Sequence, residues 1–97
     1  MSVPRFEWDE RKNASNRLKH RVSFEEAQAV FSDEQALLLN DPDHSETEER
    51  FILLGFSGAR ILVVHHTYRG DDNVIRIISA RRATGAEKRQ YTEEWLP

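Results

Sequence analysis

Arginine is the side chain on which most of this chain's chemistry can turn. Arginines are packed most closely in the run Val74-Ile75-Arg76-Ile77-Ile78-Ser79-Ala80-Arg81-Arg82-Ala83-Thr84. The β-branched start of that run predicts a strand. In a regular strand Ile75, Ile77, Ser79 and Arg81 share one face, and Arg76, Ile78, Ala80 and Arg82 share the other. Isoleucine on both faces predicts a central strand covered on both sides. A guanidinium in the middle of such a strand needs an acidic partner or a cleft open to solvent, so Arg76 must have one or the other. The run leaves the sheet through Arg81 and Arg82 and reaches a helix start at Thr84. A buried platform that delivers several guanidiniums to one place can build a phosphate site. Read blandly, the same arginines are strand-end surface charges, and composition alone does not separate the two readings.

The other reactive residue types are sparse. There is no cysteine, which removes thiolate chemistry and disulfides and fits the cytoplasm. The histidines His20, His44, His65 and His66 lack zinc-ligand spacing. No glycine-rich phosphate loop is present. Nor is there a carboxylate or histidine cage that asks for a metal, so no cofactor is expected. His65 and His66 end a strand and point to opposite faces, so at most one reaches any given cleft, and neither is taken as a site residue. Lys19 and His20 fall in the last turn of a helix, where a cation suits the helix dipole. Glu87 stands three residues after Thr84, as a capping box requires.

The length predicts one domain over residues 1–97, with a single modest core. No apolar run is long enough to span a membrane, and the start has no apolar leader region. The net charge of −3 conceals segregation. Residues 1–22 carry six Lys/Arg against three acids, residues 23–50 one arginine against nine acids, and residues 60–91 seven Lys/Arg against three acids. The basic ends can meet RNA, DNA or an acidic protein, whereas a pI of 5.8 argues against a general nucleic-acid coat.

These residues need elements to position them. Arg5-Phe6-Glu7-Trp8 alternates as a short strand with Phe6 and Trp8 inward. Asp9 caps a helix over residues 10–20 whose apolar line is only Ala14 and Leu18, leaving a wide basic face. Ser23 and Glu26 form the capping box of a second helix, with Phe24, Ala27, Val30 and Phe31 as its inward stripe, and Asp33-Glu34 ends it. Residues 35–40 predict a strand and residues 41–49 an acidic, mobile loop broken by Pro42. Strands over 50–57 and 60–66 flank a tight turn at Ser57-Gly58-Ala59. A second hairpin loop, with Gly70-Asp71-Asp72, leads into the arginine strand. A last helix over 85–95 carries Lys88, Arg89, Tyr91 and Trp95. The fold class is α+β: order β-α-α-β-β-β-β-α, an antiparallel meander with the two early helices on one face.

Three blocks together resemble the BrnT family, the toxin half of a type II toxin–antitoxin pair. They are Phe6-Glu7-Trp8-Asp9 with Lys12, Asn16, Lys19, His20 and Phe24; Glu49-Arg50-Phe51 through Gly55; and Arg76-Ile77-Ile78-Ser79-Ala80-Arg81 with Ala83, Glu87, Arg89 and Tyr91. The resemblance covers roughly residues 6–91. It implies a RelE-like fold, an antiparallel sheet with helices packed against it. It also implies a ribonuclease that inhibits translation. The implied partner is a ribbon-helix-helix antitoxin, BrnA-like, which neutralises the toxin and binds operator DNA with it. The family commonly has glycine after Lys-His, where a helix ends in a left-handed cap. Here that residue is Arg21, so either the helix ends differently or Arg21 is strained.

RNA cleavage without metal needs a base for the 2′-hydroxyl, positive charge for the phosphorane and an acid for the leaving oxygen. Arg76 and Arg81 are the candidates for phosphate binding and transition-state charge. They share one site only if the strand twists or bulges near Ser79. Glu87 is a candidate base, and His20 a candidate acid or base because imidazole chemistry suits neutral pH. Lys19, Arg82, Arg89 and Tyr91 are candidate RNA contacts, Tyr91 by stacking. The competing reading is a non-catalytic module that binds protein or operator DNA as a co-repressor.

Overall fold

The computed structural model describes residues 4–41, 48–70 and 73–93. Eight elements follow in chain order: β1 (Arg5–Glu7), α1 (Glu10–His20), α2 (Phe24–Val30), β2 (Leu37–Asn40), β3 (Phe51–Phe56), β4 (Ile61–Arg69), β5 (Val74–Arg82) and α3 (Gly85–Glu93). The order matches the one its patterning predicts. Most of the acidic loop, Asp71-Asp72 of the second hairpin loop and the expected end of the last helix with Trp95 lie outside the described residues.

Strands β2 to β5 form the antiparallel meander, and β1 pairs parallel with β5, so the five-stranded sheet is mixed with order β1-β5-β4-β3-β2. β5 is interior, as isoleucine on both faces demands. One face packs under α1 and α2 through Val22, Phe24, Ala27, Val30, Leu53, Leu62, Val64, Ile77 and Ala80. The opposite face has a smaller cluster of Leu54, Val63 and Ala83, with Tyr91 of α3 packed against it. Gly55 sits where the sheet meets the end of α2, because a Cβ there would come within 2.9 Å of the Val30 side chain and 2.8 Å of Ala36.

Both early helices start as their caps predict. Asp9 accepts from the Arg11 N–H, and Ser23 accepts from the Glu26 N–H. The inward stripe of α2 is observed at Phe24, Ala27 and Val30, with Phe31 half-buried just after the helix. The predicted line of α1 is wrong. Ala14 is exposed and Leu18 is 84% exposed, whereas Asn13 and Asn16 are the buried residues. The reason is hydrogen bonding. Asn13 accepts from the Phe24 N–H and donates to Glu25, while Asn16 donates to the carbonyls of Val22 and Ala80 and accepts from the Ala80 N–H. Amide groups whose nitrogen and oxygen both find partners lose little by burial, so polarity inverts the helix. Its end is left-handed: Arg21 has φ 59° and ψ 31°, and its N–H reaches the Arg17 carbonyl at 3.0 Å. Of the two alternatives for Arg21, the strained cap is the one adopted.

Candidate functional site

A β-bulge decides which arginines meet. His65 pairs with Ser79 and His66 with Ile77, so Ile78 is an extra residue in β5. Ile77 and Ala80 consequently both point into the core under α1 and α2, although three residues apart. Parity reverses across the bulge. Arg76, opposite Thr67, and Arg81, opposite Val63, therefore lie on the same face, the one carrying α3. Arg82, opposite Leu62, lies on the helix-covered side at the strand end and is exposed. Over five residues at about 3.3 Å each, the Cα atoms of Arg76 and Arg81 stand about 15 Å apart.

Each of these two guanidiniums faces a carboxylate. Arg76 donates to Glu7 at 2.7 Å, its register partner on β1. Arg81 grips Glu87 with both terminal nitrogens, at 2.8 and 2.9 Å. Glu87 also accepts from the Thr84 N–H, and Thr84 accepts from the Glu87 N–H, completing the capping box. The Arg81 fork, together with the Thr84 bonds, holds the Glu87 carboxyl well below its ordinary value, at about 2, and raises Arg81 in return. Neither arginine is sealed: the side chains of Arg76 and Arg81 are 29% and 36% exposed. Donors therefore remain for a third party.

The edge of β5 beyond β1 is completed by a helix side chain. β1 pairs only as far as Arg76. Past that point the Asn16 amide takes the Ala80 N–H and carbonyl as a neighbouring strand would. Asn13, Asn16 and His20 follow at i, i+3 and i+7, on one stripe of α1. His20 thus lies one turn beyond the contact with Ala80, half-buried, and exposed Lys19 stands beside it. Arg89 is exposed on α3. Tyr91 is half-buried, and its hydroxyl donates to Asp33 at 2.7 Å. Burial and that bond raise the phenol to about 12. Asp33 accepts as well from the N–H groups of Phe56 and Gln35, which ties α3 to the end of the sheet.

Sequence reasoning gives no site role to Glu7 or Asn16, although both stand in the blocks that carry the resemblance, and it sets His65 aside. Glu7 is revealed only by the parallel pairing of β1 with β5, for which three residues carry no signal. Asn16 looks like one more polar residue on a basic helix until its partners are known. His65 shares the face of Arg76 and Arg81, opposite Ser79, and its Nδ1 lies 3.2 Å from Asp41. His66 points the other way into the core and is fully buried. Among the described residues, no group of three or more His, Cys, Asp or Glu side chains could hold a metal ion. No described helix is long and apolar enough to cross a membrane.

The domain is α+β, with two carboxylate-held guanidiniums on one sheet face and a basic helix end at that sheet's edge; guanidinium is a side chain that pairs with carboxylate and with phosphate alike. Residues 8–87 match the family described as the ribonuclease toxin, BrnT, of type II toxin–antitoxin systems, and the chain belongs to that family. Its fold is similar to the crystal structure of the Brucella abortus ribonuclease toxin BrnT, at 23% identity and a TM-score of 0.62, over 86% of this chain and 99% of that one. Among the curated proteins, none matches this chain.

Proposed function

We propose that this chain is the toxin of a type II toxin–antitoxin pair and a metal-independent endoribonuclease that stops translation by cutting RNA. The observation that carries this reading is the bulge at Ile78, which turns Arg76 and Arg81 to one face. Their separation suits two phosphates of one strand rather than a single phosphate. Arg81 is the transition-state cation, with Glu87 as the carboxylate that aims its fork. A carboxylate held at about 2 accepts protons poorly at neutral pH, so Glu87 acts as base only when a phosphate draws Arg81 away from it. His20, beside the end of β5, is the other candidate proton carrier. Lys19, Arg82 and Arg89 bind the flanking backbone, and Tyr91, its hydroxyl anchored by Asp33, stacks on a base. The antitoxin is of the ribbon-helix-helix class, and operator DNA is met only through it.

The test is purified protein with single-stranded RNA in EDTA. Wild type should cleave, and Arg81→Ala and Arg76→Ala should fold but neither cleave nor arrest growth. Equal toxicity of all three would refute the site. One observation favours a second reading, a non-catalytic co-repressor: both arginines already have carboxylate partners. That reading expects no cleavage by wild type under any of these conditions.

A further inference from the structure

α1 is inverted, and of its outward face only Lys19, at the margin, has a role in the reading above. Leu18 stands at 84% exposure, on the opposite side of the helix from Asn16, which lies two residues or 200° away. Ala14, one turn earlier, is exposed on the same stripe. Arg11, Lys12, Arg17, Lys19 and Arg21 surround this seam and are all exposed. Among the described residues, none of the five lies within ion-pair distance of a carboxylate, although the Glu25 carboxyl, held down first by its Asn13 bond, is near enough to Arg17 for that guanidinium to help. Nothing in the fold requires an apolar residue here, because the asparagines already fix how α1 sits.

We infer that this face is a docking surface for a short acidic amphipathic helix of the antitoxin. An apolar residue of that helix would seat on Leu18 and Ala14, with Asp and Glu side chains against the arginines. The inference rests on the toxin reading for the identity of the partner. Charge complementarity selects an acidic occupant. Size selects a segment rather than a second copy of the chain: α1 is 11 residues, about 16 Å long. A strip of that length offers far less than the roughly 800 Å² per partner of a standard globular interface. The exposed leucine selects protein over RNA, since bases are held by aromatic rings and phosphates by cations, and neither needs an aliphatic centre. Arginine is also enriched among the residues that carry interface energy.

The experiment is calorimetric titration of the antitoxin encoded beside this chain's own gene into wild type, Leu18→Glu, Leu18→Ala and the double variant Arg11→Glu/Arg17→Glu. Circular dichroism checks that each is folded, and cleavage of single-stranded RNA is measured in parallel. Leu18→Glu should weaken antitoxin binding about 30-fold or more, the loss carried by a hot-spot residue. The double variant should weaken it about tenfold, with the effect shrinking in high salt. RNA cleavage should not change in either. Antitoxin binding by folded Leu18→Glu within about threefold of wild type overturns the inference. So does a wild type that does not bind the antitoxin. Loss of RNA cleavage with antitoxin binding intact would make the face an RNA surface, and a wild-type dimer in sedimentation that Leu18→Glu dissociates would make it a contact between copies. Both results also overturn it. Failure of the nuclease reading is distinct, because wild type would then leave RNA intact while Leu18→Glu still lost the antitoxin.

Discussion

Arg21 shows how one side chain can be held in a conformation it does not favour. Its φ of 59° closes α1, and its carbonyl accepts from Arg60 at 2.6 Å. A left-handed residue with a Cβ costs about 1–2 kcal/mol, and glycine returns part of the difference as unfolded-state entropy. Arg21→Gly should therefore stabilise the chain by about 1 kcal/mol. A urea midpoint that moves up with unchanged slope is the expected result. His66 makes the opposite case, a titratable group kept neutral. It is fully buried, with Phe31 and Tyr68 packed edge-on at 4.8 and 5.2 Å. A ring with Nδ1–H donating to the Val64 carbonyl and Nε2 accepting from the Tyr68 hydroxyl satisfies both contacts. Burial, helped by nearby His65, lowers this imidazole from 6.5 to about 4. The unfolded chain then takes up the proton at higher pH than the folded one. The stabilisation is complete above pH 6.5 and is lost as the pH falls toward 4. The loss is about 2 kcal/mol by pH 5 and about 3 by pH 4. His66→Phe should lack this component when unfolding is followed between pH 7 and 5.

At the scale of elements, the contact between α1 and β5 shapes the site. Asn16 supplies three bonds to buried backbone groups, two at Ala80 and one at Val22. Asn16→Ala leaves them unsatisfied and should cost about 3 kcal/mol. Asn16→Asp should rescue little, because a carboxylate can take the Ala80 N–H but cannot donate to either carbonyl. Thermal unfolding of the two variants beside wild type checks both statements, and an Asp variant as stable as wild type would contradict them. The same contact marks how far a sequence can be read. Capping residues at Asp9, Ser23 and Thr84 are local signals, so helix starts were legible. The four later strands were legible from their apolar runs. The inward face of α1 was not, because apolar periodicity says nothing about amides satisfied by a strand 64 residues away. The bulge lay between. Sequence shows that Arg76 and Arg81 need one near Ser79 to share a face, whereas only pairing with β4 places the extra residue at Ile78.

For the whole molecule, the decisive property is where charge sits. A pI of 5.8 leaves no general attraction for nucleic acid, so the proposed RNA binding would rest on a few cations on the sheet, on the end of α1 and on α3. If Arg76, Arg81, Lys19, Arg82 and Arg89 each meet a phosphate, the slope of log K against log salt for a single strand is about −3.5. That is shallow for a nucleic-acid protein. Arg76→Ala and Arg81→Ala should each reduce its size by about 0.7 and weaken binding to all sequences alike. Arg11→Ala, on the outward face of α1, should leave the slope where it is although it removes the same charge. Fluorescence anisotropy of a labelled RNA over a salt series measures all four proteins. Equal slopes for wild type and Arg81→Ala would mean that the Arg81 fork stays with Glu87 and never reaches a phosphate. A slope lowered by Arg11→Ala would place the strand across α1 instead of across the sheet.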